Sequence, residues 1–228
     1  MKAKISEIFS SVQGEGKYVG VRQIFVRFWG CSLDCQWCDT AYAHQDPFEG
    51  IECDVDQLYQ TVKSFQSPVH SISLTGGEPL EQADFLAPFA KRLKQEQQAV
   101  YLETNGTLPK ALEPLIADID YIAMDIKLPS STRLRSFWDE HEMFLKIAKQ
   151  KDVCVKVVVT EETIIQDIDQ CVNLIARVAS DTCCIIQPDT RELGAGLMKK
   201  CEQFQQRALT ALSDVRVIPQ VHALLGVR

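Results

Sequence analysis

No stretch of this chain is apolar for long enough to span a bilayer, and no apolar segment follows the basic start Met1-Lys2-Ala3-Lys4. Neither a membrane anchor nor a secretory leader is therefore expected. Low-complexity tracts and clear repeats are absent too, which argues against linkers and arrays. Basic residues are the minority, 24 Lys and Arg against 31 Asp and Glu, giving a net charge of -7 and a pI near 5.2. Broad electrostatic capture of nucleic acid is disfavoured and a small-molecule substrate favoured, although local basic patches remain compatible with this balance. Cysteine is what the chain has in quantity, nine in all. Scattered over 228 residues, they do not read as a small disulfide-stapled scaffold, so a reducing compartment and a cytoplasmic location are expected. With 46% hydrophobic residues the chain can bury one sizeable core, and 1–228 is read as a single domain.

Three cysteines are grouped. Cys31, Cys35 and Cys38 have the spacing C-x3-C-x2-C within Gly30-Cys31-Ser32-Leu33-Asp34-Cys35-Gln36-Trp37-Cys38-Asp39-Thr40, directly after the apolar run 23–29. Three thiolates in one loop can hold three corners of a four-iron four-sulfur cluster, and no fourth cysteine lies nearby at ligand spacing, so one iron is left open. A tetrahedral zinc site closed by a histidine such as His44 is the rival reading.

Short β-rich runs alternate with segments of helical period, the pattern of parallel β/α units. Strands are expected near 22–28, 71–75, 100–103, 121–126, 153–159, 184–187 and 215–218. Ile164, Ile168, Cys171, Val172, Ile175 and Ala179 recur at three and four residues, as do Leu197, Cys201, Phe204, Ala208 and Leu212, so each set marks one stripe of a helix facing the sheet. The polar segment 44–56, with Pro47 and Gly50, reads as a loop. A complete eightfold barrel needs about 250 residues, so the expected fold is α/β, an incomplete, splayed parallel β/α barrel.

Ligands gather at the carboxyl ends of such strands, and the suggestive residues fall there in turn: the cysteine loop, Gly76-Gly77-Glu78-Pro79, Thr104-Asn105-Gly106, Lys127, and Gln187-Pro188-Asp189. Thr75-Gly76-Gly77-Glu78-Pro79 is either a flexible strand-to-helix turn or a place where backbone approaches a ligand closely. Asp125 and Lys127 flank Ile126 and share one face, as a solvent-facing ion pair or as a grip for an amino acid and ribose hydroxyls. Arg27 interrupts Ile24-Phe25-Val26-Arg27-Phe28-Trp29. Its charge must find water or an anion, in a structural salt bridge or a carboxylate clamp. Gln13-Gly14-Glu15-Gly16 reads as an N-terminal turn, and the six remaining cysteines as buried small hydrophobes, with Cys183 and Cys184 on opposite faces of their strand.

The cysteine motif after an early strand, joined by Gly-Gly-Glu-Pro, resembles the radical S-adenosylmethionine (SAM) superfamily. Glu7-Ile8-Phe9-Ser10-Ser11-Val12-Gln13-Gly14-Glu15-Gly16, Phe25-Val26-Arg27-Phe28, Glu103-Thr104-Asn105-Gly106, Gln187-Pro188 and Pro219-Gln220-Val221-His222-Ala223-Leu224-Leu225-Gly226 extend that likeness to the 7-carboxy-7-deazaguanine synthase family over nearly the whole chain. The resemblance implies ring contraction of 6-carboxy-5,6,7,8-tetrahydropterin to 7-carboxy-7-deazaguanine with loss of ammonia, in queuosine and deazapurine biosynthesis. It also implies a 4Fe-4S cluster, SAM, Mg2+, an electron donor such as flavodoxin or ferredoxin, and a homodimer. By motif, Cys31, Cys35 and Cys38 would hold the cluster and Thr40 magnesium. Trp37, Asp39, Gly77, Asp125, Ile126, Lys127, Gln187, Pro188, Asp189 and Thr190 would meet SAM. Val12, Gln13, Gly14, Arg27, Thr75, His222 and Arg228 would meet substrate. Where the family usually reads Ser-Pro-Lys this chain has Asp125-Ile126-Lys127, which resembles the D-x-K element of glycyl-radical activating enzymes. An activase is thus the alternative enzyme, and a zinc-stabilised binding module the non-enzymatic one.

Overall fold

Nine strands form one sheet in the computed structural model, which describes residues 1–227. They are β1 (Ala3–Val12), β2 (Arg22–Phe28), β3 (Ile51–Cys53), β4 (Ser71–Gly76), β5 (Val100–Thr104), β6 (Tyr121–Asp125), β7 (Asp152–Val159), β8 (Cys183–Pro188) and β9 (Val215–Val217). Their order is β3-β1-β2-β4-β5-β6-β7-β8-β9. From β2 to β9 every neighbouring pair is parallel, whereas β1 pairs antiparallel with both β2 and β3. The sheet does not close on itself, so the splayed, incomplete barrel is the observed architecture.

The helices are α1 (Val55–Lys63), α2 (Ala83–Gln95), α3 (Pro109–Leu112), α4 (Pro129–Thr132), α5 (Trp138–Ala148), α6 (Ile165–Val178), α7 (Ala195–Ala208) and α8 (Val221–Leu225). None is long and apolar enough to cross a membrane.

Two stretches differ from expectation. Residues 3–12 form β1, whose mixture of Ser, Glu and apolar residues gives no clean strand signal; its apolar partners come from β2. The expected loop 44–56 contains β3 and the start of α1. There a capping box begins the helix: Gln57 N–H donates to Asp54 Oδ1 at 2.9 Å and Asp54 N–H to Gln57 Oε1 at 3.0 Å, satisfying two donors that a helix start otherwise leaves open.

The two faces of the sheet are chemically unlike. Val26, Phe28, Ile72, Leu74, Leu102, Met124, Val155, Val157 and Ile186 join the main core with Leu86 and Phe89 of α2, Phe144 of α5, Ile168, Cys171 and Ile175 of α6, and Leu197 and Cys201 of α7. Burying each such Leu, Ile, Val or Phe contributes about 1.5–3 kcal/mol. Ile164 departs from its expected stripe: it caps α6 and is 47% exposed. The alternate residues face the other way, and there the strands carry Gln23, Arg27, Ser73, Thr75, Glu103, Asp125, Lys156 and Gln187. Cys183 joins Cys154 and Ile185 on this inner face while Cys184 lies in the main core, the opposition that a strand requires.

Candidate functional site

A cavity of about 220 Å³ opens on the polar face. Val12, Gln13, Gly14, Arg27, Cys35, Trp37, Cys38, Asp39, Thr40, Thr75, Gly77, Asp125, Lys127, Gln187, Asp189 and His222 line it, so most residues singled out by sequence converge there. Cys31 packs beside Gly77, where an added Cβ would meet Cys31 Cβ at 2.8 Å and the Gly30 carbonyl at 2.3 Å. Glycine at 77 is therefore what lets this turn lie against the cysteine loop. Ile126 is not at the cavity: its side chain is in the core and its N–H donates to the Lys156 carbonyl at 2.8 Å. Pro188 ends β8 opposite Val159, buried, and Thr190 donates to Gln220 Oε1 at 2.5 Å. Arg228 lies outside the described residues.

The cysteine loop is held from two sides. Gly30 accepts from Glu78 N–H at 2.7 Å, while Trp37 Nε1 donates to Ser131 of α4 at 3.4 Å and lies under the Lys127 ammonium at 4.4 Å. Burial pushes the Cys31 thiol up to about 12 and raises that of Cys35, so metal loading must displace protons. The set of ligating side chains within 4.8 Å of one another is Glu15, Asp39 and His222; among the described residues the three thiols and His44 form no such set. Ligands of one zinc stand about 4 Å apart. Three thiols in one loop that are not gathered at that separation suit the corners of a larger cluster.

Charges alternate across the cavity. Glu15 pairs with Lys156, which stands 3.4 Å from Asp125, and Asp125 accepts from Lys127 at 2.9 Å. Burial alone would raise Glu15, but the Lys156 charge and hydrogen bonds from Lys156 and Gln220 outweigh it and hold the carboxyl at about 2. Burial likewise opposes the charge of Lys156, yet Glu15 and Asp125 raise its pKa above the ordinary value. Lys127 shows the same contest, with Asp125 prevailing over burial. The Asp125 and Lys127 pair is thus buried in the site rather than facing solvent.

Arg27 Nε donates to Glu7 at 2.7 Å, and Thr75, in register with it on β4, donates to Glu103 at 2.9 Å. Glu103 also accepts from Gln13 at 2.8 Å and Ser73 at 3.0 Å. Glu78 is enclosed behind the glycine turn, accepting from Leu80 N–H, Thr104 Oγ1 and Asn105 N–H. Its burial outweighs those bonds and lifts the carboxyl to about 7. At the mouth, Gln220 Nε2 donates to Glu15 at 2.7 Å and to Asp39 at 2.6 Å, and His222 covers Gly14, where a Cβ would fall 2.3 Å from the imidazole.

Among the described residues, four buried polar atoms of side chains that line this cavity lack a partner: Tyr101 Oη, Asn105 Nδ2, Asp125 Oδ1 and Gln187 Oε1. An unsatisfied buried group costs about 1–3 kcal/mol, so two donors and two acceptors on side chains that line one cavity fit a polar ligand with both kinds of group. Sequence reasoning assigned no role to Glu15, Tyr101, Glu103, Asn105, Lys156 or Gln220. Lys156 had a signal, a lone charge inside Val153-Cys154-Val155-Lys156-Val157 like that of Arg27.

Residues 27–175 match the radical SAM superfamily model. The chain is 40% identical to the 7-carboxy-7-deazaguanine synthase of Geobacter sulfurreducens, over 98% of this chain and 97% of that protein. The chain belongs to the 7-carboxy-7-deazaguanine synthase family. The synthase of Archaeoglobus fulgidus is 34% identical over the full length of both chains. Among solved structures, QueE from Escherichia coli has the same fold, with a TM-score of 0.69 at 20% identity, covering 97% of this chain and 95% of that one. Streptococcus suis SuiB, solved bound to S-adenosylmethionine, superposes with a TM-score of 0.59 at 14% identity over 82% of this chain and 44% of its own. Membership of the family carries with it a 4Fe-4S cluster and SAM.

Proposed function

We propose that the protein contracts 6-carboxy-5,6,7,8-tetrahydropterin to 7-carboxy-7-deazaguanine with release of ammonia, and that residues 1–228 act as one radical SAM domain. The observation that carries this reading is a single cavity in which the cysteine loop meets an arginine and a carboxylate suited to the two ends of a carboxylated pterin. When bound, cluster and SAM supply the 5′-deoxyadenosyl radical that abstracts hydrogen from the substrate.

The rest falls to this chain's side chains. Cys31, Cys35 and Cys38 would hold the cluster, with Gly77 and Trp37 beside it. Asp125 Oδ1 and Gln187 Oε1 would accept from SAM hydroxyl and amino groups, and Lys127 would donate to its carboxylate. Because Glu7 takes the Nε edge of Arg27, a substrate carboxylate would be held by the terminal nitrogens. Glu103 is complementary to the N–H groups of the pyrimidinone edge, and the stacked rings of Phe9 and Phe25, 5.0 Å apart and lining the cavity, offer an apolar wall to a flat heterocycle. Lys156, kept protonated by two carboxylates, is a fixed positive charge rather than a base.

Thr40 lines the cavity beside Asp39, and an oxygen donor there suits magnesium, a hard cation. Magnesium, a flavodoxin- or ferredoxin-type electron donor, a homodimer and a cytoplasmic location belong to the same proposal. The activase alternative needs a mouth open to a peptide loop, whereas Gln220 and His222 lie across this one.

The test is anaerobic incubation of the reconstituted protein with SAM, magnesium, a chemical reductant and the carboxylated tetrahydropterin, followed by product identification. Deazaguanine carboxylate and ammonia are expected. SAM cleavage with unchanged pterin would overturn the reading.

A further inference from the structure

Among the described residues, Tyr101 is the one tyrosine that lines the cavity. It lies on β5 two residues before Glu103, so both side chains leave the strand on the same face, Tyr101 one step deeper. Its residue is 1% exposed and its hydroxyl has no partner in the protein. The ring is fixed by Tyr18 and Tyr121, with centroids 6.1 and 6.2 Å away. Gly16, at φ +72, passes over the oxygen: a Cβ there would stand 3.3 Å from the phenol and 3.8 Å from Cys154 Sγ. Chain conformation and ring packing thus hold a hydroxyl beneath Gly16, on a residue that lines the cavity, with no partner among the described residues. A purely structural role would be served as well by phenylalanine, which would avoid burying an unpaired hydroxyl.

We propose that Tyr101 is a specificity residue whose phenol donates a hydrogen bond to an acceptor on the substrate's pyrimidinone edge, next to the N–H groups read by Glu103. This rests on the pterin reading above. Such an edge has two adjacent N–H donors flanked by acceptors, which calls for a carboxylate facing the donors and a neutral hydroxyl facing a flanking acceptor. Burial holds the phenol neutral, its pKa far above the ordinary value, so its proton remains available for donation at any working pH.

The experiment compares wild type with Tyr101→Phe, both carrying the reconstituted cluster, by anaerobic titration with the carboxylated tetrahydropterin and separately with SAM. Thermal denaturation and iron content are measured alongside. The expected result is substrate affinity reduced about three- to tenfold, with SAM affinity and iron content unchanged and the melting temperature equal or higher. Equal substrate affinity in the two proteins would overturn the proposal, and so would a clear loss of stability in the variant, which would mean that the hydroxyl is satisfied within the fold. A wild type that does not bind the pterin would instead overturn the functional reading on which the proposal stands.

Discussion

Lys156 Nζ stands 3.4 Å from Asp125 Oδ2, the two residues facing each other in register on β7 and β6, and it makes a second ion pair with Glu15. Replacing Lys156 by methionine keeps the volume but leaves the buried Glu15 carboxylate without a cation and Asp125 with Lys127 alone. Stability at neutral pH is expected to fall by about 3–5 kcal/mol. Glu15, held at about 2, contributes stability that is fully present above its ordinary value near 4.5 and lost only as pH falls toward 2. The variant lacks this, and its Glu15 carboxyl, buried without Lys156, takes up a proton at higher pH. Denaturant melts at pH 7.5 and 5 should therefore show a deficit that shrinks in acid, while an equal deficit at both would assign the effect to packing.

Alanine at Cys31, Cys35 or Cys38 should abolish cluster assembly and SAM cleavage, since each removes one of three protein ligands. Cys171 of α6 and Cys201 of α7, buried in the main core, serve as controls whose replacement should leave iron content and visible absorption intact. Retained iron in the first set would remove the cluster from this loop.

Arg27→Ala is expected to weaken binding of the carboxylated pterin roughly ten- to a hundredfold, the worth of a charged hydrogen-bonded pair at about 1.5–3 kcal/mol. Lysine should rescue it only in part, because a point charge cannot reproduce the planar fork. SAM cleavage without substrate turnover should persist. Titration and product analysis of the three proteins decide this, and identical behaviour would reduce Arg27 to the partner of Glu7.

Glu78 gives a pH test. Its folded value near 7 lies above the ordinary 4.5, so its contribution is fully present below 4.5 and is lost as pH rises through 7. Over that window the loss amounts to about 3 kcal/mol. Wild type should lose stability between pH 5 and 7 relative to Glu78→Gln, which cannot titrate. Parallel pH profiles for the two proteins would show that Glu78 is already ionised throughout.

Seven strands and the cluster loop were readable because parallel, twice-buried strands give continuous apolar runs and because glycines and cysteines sit where backbone geometry demands them. β3 escaped notice since three residues, two of them exposed, carry no periodicity. Arg27 stood out against apolar neighbours, but nothing in sequence reveals that Lys156 and Asp125 would face each other, or that the hydroxyl of Tyr101 would go unpaired. Those facts depend on register and on which face turns inward, and both are settled only when the sheet assembles.

Val221 N–H donates to the Gly14 carbonyl at 2.9 Å, and Gln220 reaches Glu15 and Asp39 from the far end of the chain. The segment after β9 is thus joined to the segment after β1 without a pairing of strands. During synthesis Gln220 and His222 emerge well after the cysteine loop. The cover of the site is therefore a separate piece of chain from its cluster loop, and replacing Gln220 and His222 by alanine is expected to leave the loop in place while removing the hydrogen bonds to Glu15 and Asp39 and the imidazole over Gly14.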